Sequence, residues 1–147
     1  MTIALVLIGL TLNAQIEVRE NKVDKIWSNA LRNQEVVRFI TDEDTVYTFY
    51  YRNLKYQHIT DIKYFSIGSK NDVESLIDYI EDVIENKKKL TLTLSDGNTI
   101  SLSKSMNSCY IYTGEGYTFF DKNQIEKLRI KITEFENNEK ENNNASE

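Results

Sequence analysis

The sequence predicts an α+β fold: a mainly antiparallel sheet of about six or seven strands, one long amphipathic helix packed on one face, and a short C-terminal helix. Three observations carry this. Segments rich in Val, Ile, Phe and Tyr fall into two groups, one before residue 70 and one after residue 89. Between the groups, Val73, Leu76, Ile77, Ile80, Val83 and Ile84 recur at helical spacing as one apolar stripe. Beyond it, Leu90, Leu92 and Leu94 alternate with Thr91, Thr93 and Ser95. That is the pattern of a sheet with one dry and one wet face, which antiparallel pairing permits.

The elements follow in order. Val23, Ile26, Trp27, Ala30 and Leu31 recur at i, i+3, i+4, i+7 and i+8, which predicts a short amphipathic helix. Asn21, Ser28, Asn29 and Asn33 are poor helix formers, so a strand and loop anchored by Trp27 is the alternative. Segments 36–41 and 46–52 read as a hairpin across the polar turn Asp42-Glu43-Asp44-Thr45, and 61–67 as a third strand. Gly68 stops that strand. Ser69 then stands as N-cap and Asp72 in the capping-box position of a helix over 70–86. Its acids Glu74, Asp78, Glu81, Asp82 and Glu85 lie off the apolar stripe, and Lys87-Lys88-Lys89 follow its C-terminus, where positive charge suits the helix dipole.

Segments 90–95 and 99–103 form a hairpin about Asp96-Gly97-Asn98, since glycine accepts positive φ. Segments 108–113 and 117–121 form another about Gly114-Glu115-Gly116. Asp121, with Gln124 three residues on, caps the last helix, and Ile125, Leu128 and Ile132 line its inner side. From Glu136 the chain has no apolar residue except Ala145, which reads as a disordered polar tail. The expected organisation is a signal peptide at 1–14, one α+β domain at 15–135 and the tail at 136–147.

The signal-peptide reading rests on residues 3–12, IALVLIGLTL. This run is too short for a bilayer span, which needs about 20 residues, and it fits a secretory h-region. A small residue, Ala14, precedes Gln15 where a signal peptidase would cut, although no Lys or Arg precedes the run. A buried first strand is the alternative. The junction Leu12-Asn13-Ala14-Gln15 resembles signal-peptide ends of Bacteroidetes-type bacteria. Export to the periplasm or beyond is therefore expected, without a stable membrane span.

Composition narrows the chemistry. A net charge of −5 and a pI near 5.0 offer no basic surface for nucleic acid. Cys109 is the single cysteine, so no internal disulfide forms, and no neighbouring Lys, Arg or His activates its thiol. One His and one Cys are too few for a zinc site. His58, with Asp61 three residues away, is where a histidine-based site would have to be built, but no nucleophile elbow accompanies it. Asp42, Glu43 and Asp44 put carboxylates on one turn without EF-hand spacing, the pattern of a solvated hairpin tip. Gly114-Glu115-Gly116 sits in a hairpin and not between a strand and a helix, so it is no dinucleotide fingerprint. No cofactor, metal site or catalytic set is expected.

Four runs carry a resemblance. They are Tyr51-Arg52-Asn53-Leu54-Lys55-Tyr56, residues 62–67, Tyr112-Thr113-Gly114-Glu115-Gly116-Tyr117, and Lys122-Asn123-Gln124-Ile125-Glu126-Lys127-Leu128. In these the chain resembles short exported proteins of Bacteroidetes and their phages that have no assigned activity. The resemblance covers about half of the chain, implies export and a compact α+β domain, and assigns no site residue. Asp44-Thr45-Val46 also resembles the short O-glycosylation pattern of exported Bacteroidetes proteins, and Asn144-Ala145-Ser146 matches an N-glycan sequon.

Nine tyrosines are the unusual feature. Strand alternation turns Tyr50 away from Tyr47 and Tyr51, and sets Tyr110 and Tyr112 opposite Cys109 and Ile111. Tyr50, Tyr110 and Tyr112 are therefore the candidate binding residues, because tyrosine offers area plus a hydroxyl. The expected function is that of a small exported, non-enzymatic binding or accessory domain with a protein or glycan partner in the cell envelope. A small carboxylate-dependent enzyme and a phage-encoded host-interaction protein are the alternatives.

Overall fold

The computed structural model of the protein describes residues 21–145. The expected signal peptide, its cleavage site and the alternative buried strand at 3–12 lie outside these residues, as does Ser146 of the sequon. Strands β1 (Lys22–Asn29), β2 (Gln34–Ile40), β3 (Thr45–Arg52) and β4 (Ile62–Gly68) form one antiparallel meander. Helix α1 (Lys70–Asn86) follows. Strands β5 (Lys89–Thr93), β6 (Thr99–Ser105), β7 (Ser108–Tyr112) and β8 (Tyr117–Asp121) form a second meander, and helix α2 (Lys122–Asn144) follows it.

The fold is α+β and antiparallel, as the sequence predicts, but the single sheet of six or seven strands is corrected to two sheets of four. The physical reason lies in α1. Its buried stripe of Val73, Leu76, Ile77, Ile80, Val83 and Ile84 touches β3 and β4 of the first sheet as well as β5, β6 and β7 of the second. One helix thus fills the space between two sheets, and β4 never pairs with β5. Aromatic rings complete the shared core. Phe120 of β8 lies 5.2 Å from Phe49 of β3 and 5.7 Å from Trp27 of β1. Each such fully buried ring or aliphatic chain contributes about 1.5–3 kcal/mol relative to exposure.

The helix read at Val23, Ile26, Trp27, Ala30 and Leu31 is a strand followed by the 3-10 turn Ala30–Arg32, which was the alternative reading. The pairing register with β2 slips between Lys25 and Trp27, so Ile26 is an extra residue in the strand. A bulge lets the consecutive residues Ile26 and Trp27 both be buried. That buried adjacent pair imitates the i+3, i+4 positions of a helix, whereas Val23 and Leu31, which the helical reading would bury, are exposed.

The capping boxes at Ser69/Asp72 and Asp121/Gln124 are both formed as read. The C-terminal helix is not short, however: α2 has 23 residues and runs through the segment whose composition predicts a disordered tail. Long-range charge pairing holds that polar stretch. Glu139 takes both ends of the buried Arg38 guanidinium, at 2.6 and 2.8 Å, and Glu136 meets Lys70 at 2.7 Å. Arg38 also lies 4.4 Å over the Phe135 ring and donates to Asp24 at 2.7 Å.

Candidate functional site

The outer face of the second sheet is built almost wholly from Ser, Thr and aromatic residues. The inner positions Ile100, Leu102, Cys109, Ile111, Thr118 and Phe120 are buried, which turns their alternates to the outside. Register then sets these alternates in rows across the sheet. One row is Thr91, Ser101, Tyr112 and Tyr117; the next is Lys89, Ser103, Tyr110 and Phe119.

The four rings of these rows form a continuous patch. Tyr110 stacks on Phe119 at 5.2 Å and 19°, and lies 6.2 Å from Tyr112 and 6.0 Å from Tyr117. Tyr112 and Tyr117 are 5.7 Å apart. Arg32 closes one end, with its guanidinium 4.0 Å over Phe119, and is itself held by Gln124 at 2.7 Å and Asp121 at 3.3 Å. Tyr112 is 45% exposed and the other three rings are half-buried.

The first sheet fixes the backbone under these rings. The amide of Leu54 donates to the Tyr117 carbonyl at 3.0 Å, and the Tyr117 amide donates to Asn53 Oδ1 at 3.3 Å. Gln34 donates its Nε2 to the Phe119 carbonyl at 2.9 Å and to Thr118 Oγ1 at 3.0 Å. Gln124 in turn donates to Gln34 Oε1 at 3.2 Å. The free edge of β8 is therefore closed by side chains and a loop instead of by another strand, and the aromatic rows sit on a rigid support.

Of the three tyrosines singled out, Tyr110 and Tyr112 belong to this patch. Tyr50 does not; it lies half-buried on the outer face of the first sheet, 5.5 Å from the exposed ring of Tyr64. Sequence reasoning missed Phe119 and Arg32, and saw Tyr117 without choosing it. Hairpin arithmetic held the signal for two of them: a turn at 113–116 pairs 112 with 117 and 110 with 119. Arg32 left no such signal, because its partner Gln124 is 92 residues away.

The other candidates are differently placed. His58 is exposed, while the Asp61 carboxylate accepts from Asn53 Nδ2 at 3.0 Å and lies 3.5 Å from Lys63, so the two form no acid–base pair of the kind catalysis uses. In the acidic turn, Asp44 accepts from the Thr45 amide at 2.7 Å. Among the described residues, no group of three or more His, Cys, Asp and Glu has metal-holding geometry. Much of the acidic face of α1 is paired within the chain: Arg129 of α2 reaches Asp78 at 2.7 Å and Glu81 at 2.8 Å, and Lys88 reaches Asp82 at 2.9 Å. Burial pushes the Cys109 thiol up to about 12, which removes the thiolate from neutral chemistry.

A cleft beside β4 brings two acids together. A groove of about 450 Å³ between β4 and the hairpin tips of the second sheet is lined by Tyr64, Ser66, Asp96, Asn98, Thr113 and Glu115. Asp96 is engaged by the amide and side chain of Asn98, both at 2.9 Å, and Glu115 lies 4.0 Å from Lys63. No described helix is long and apolar enough to cross a membrane. Compared with protein-family models, with curated proteins and with solved structures, the chain matches none, so its functional reading rests on this geometry.

Proposed function

We propose that the chain is a small exported, non-enzymatic binding domain that engages a protein of the cell envelope through the outer face of its second sheet. The single observation that carries this is the ring-stacked patch of Tyr110, Tyr112, Tyr117 and Phe119 beside Thr91, Ser101 and Ser103. Tyrosine supplies large amphipathic area at low side-chain entropy cost, and small hydroxyl residues supply adaptable hydrogen bonds. Antibody paratopes use the same composition. Tyr110 stacks on Phe119 and on Tyr112, so part of these π faces is already occupied. That suits a flat protein surface better than a sugar ring, which needs an open aromatic face. The apolar run 3–12 before Ala14-Gln15, and the resemblance to exported Bacteroidetes proteins, support the envelope as the compartment.

The test is an amide NMR titration of the chain with solubilised envelope proteins and, separately, with envelope glycans. Envelope protein is expected to perturb Thr91, Ser101, Ser103, Tyr110, Tyr112 and Tyr117, and Tyr112→Ala to weaken the complex about tenfold or more. Perturbation by glycan alone, or confined to other faces, overturns the reading. A carboxylate-dependent enzyme is the second reading, favoured by Asp96 and Glu115 lining one cleft. Turnover abolished by both Asp96→Asn and Glu115→Gln would establish it.

A further inference from the structure

We infer that β5 is a self-pairing edge: two copies of this chain join antiparallel through it, centred on Thr91, into one continuous eight-stranded sheet. This stands independently of the binding function proposed above, and extends the same face.

The backbone sets the register. The Leu94 amide donates to the Asn98 carbonyl at 2.8 Å, so Leu94 points its backbone at β6. Alternation then turns Leu90 and Leu92 toward β6 and directs the amides and carbonyls of Lys89, Thr91 and Thr93 to the free side. Among the described residues, nothing hydrogen-bonds these outward groups. By contrast, the edge of β8 is taken by Leu54 and Gln34, and β1 runs beside α2. Pairing about Thr91 sets Thr91 against its own copy and Lys89 against Thr93, in both directions. All three outward residues then find partners, with about six new hydrogen bonds. A shift of two residues either way strands at least one of them.

Side chains and charge agree with a second copy as the occupant. Leu90, Leu92 and Leu94 face the core yet remain only half-buried, because the flank beside them is open. A groove of about 250 Å³ runs there, walled by Leu76 and the 45% exposed Tyr79 of α1. In the proposed register Leu90 faces Leu92 of the second copy, which fills that flank. The strand is also charge-asymmetric, with Lys87, Lys88 and Lys89 at its start and Asp96 just past its end. Antiparallel pairing brings each lysine run toward the Asp96 end of the other copy, whereas parallel pairing would set lysine against lysine. The interface is self-complementary, as a two-fold dimer requires.

The test uses the full chain and three variants, with mass from light scattering over a concentration series. The native chain is expected to run as a dimer. Thr91→Pro removes an amide that points away from β6, and Thr91→Asp sets two carboxylates face to face at the two-fold axis. Both are expected to weaken the dimer about tenfold or more while circular dichroism and melting temperature show a folded monomer. Thr91→Cys is expected to form an intermolecular disulfide on oxidation, since paired strands place such Cα atoms about 5.5 Å apart. The native Cys109 is fully buried and does not compete. A native chain that stays monomeric overturns the proposal, whether a segment of the chain or a foreign strand covers the edge instead. So does a dimer that neither Thr91→Pro nor Thr91→Asp weakens, or one that Thr91→Cys does not cross-link.

Discussion

At the scale of single residues, the clasp between the two sheets is Asn53. Its side chain is fully buried, and every polar position is used. Nδ2 donates to Asp61 Oδ2 at 3.0 Å and to the Glu115 carbonyl at 3.1 Å, while Oδ1 accepts from the amides of Lys55 and Tyr117. Gly116 belongs to the same clasp: a Cβ there would lie 2.0 Å from Asn53 Oδ1. Asn53→Ala strands a carbonyl, a carboxylate oxygen and two amides, and is expected to cost about 2–4 kcal/mol in urea unfolding. Gly116→Ala is expected to destabilise by expelling the Asn53 side chain. The double variant should therefore lose clearly less than the sum of the two, because the second change damages what the first has already broken. Additive losses would show that Gly116 acts elsewhere. In the sequence, Asn53 is only one residue of a Tyr51–Tyr56 run. Its burial was illegible there because all the groups it joins outside its own loop lie on the hairpin at 113–117.

At the scale of elements, what was legible depended on how far away the deciding partner sits. Helix α1 could be read to its last residue because its stripe and capping box are local, and the three hairpins after residue 35 because their turns are local. The bulge in β1 could not, since it buries the adjacent pair Ile26 and Trp27 just as one helix face would, while Val23 and Leu31, which the helix would also bury, are exposed. Nor could the second half of α2, whose anchor Arg38 is 101 residues from Glu139. That anchor makes a prediction. Hydrogen bonding and charge from Arg38 hold the Glu139 carboxyl below its ordinary value of 4.5. A lowered native pKa means the ionised form is favoured by folding. Its contribution is complete above about pH 4.5 and is lost as pH falls through the lowered native value. Glu139 is 43% exposed, so solvent screens part of the effect, and the loss should be partial and local. Acid titration followed by amide exchange should show residues 136–144 losing protection before the sheets do. Glu139→Gln should show the same loss at neutral pH, and equal protection in native and variant chains would mean that Arg38 does not hold this stretch.

At the scale of the whole molecule, the sequence revealed how many strands and helices follow residue 35, but not how they divide. Two meanders each followed by a helix are visible only once α1 is seen to serve both sheets, and once Gln34, Thr118 and Gln124 are seen to close the edge of β8 across 84 and 90 residues. Strand alternation singled out Tyr110 and Tyr112 together with Tyr50, which lies on the other sheet, because alternation gives a residue its side of a sheet but not which sheet. The same whole-molecule view bears on export. Among the described residues, the elements that fill the core lie between Lys22 and Asn144, and its buried residues begin at Ile26. The apolar run at 3–12, followed by Ala14-Gln15, fits a secretory h-region by its length. Export then predicts removal by a signal peptidase, and the expected intact mass of chain recovered from the envelope fraction of a native-type host is that of residues 15–147, with Gln15 free or cyclised. A full-length mass in the cytosol would overturn export and return the run to the fold or to a docking surface. It would also move the search for a partner of the proposed tyrosine face inside the cell.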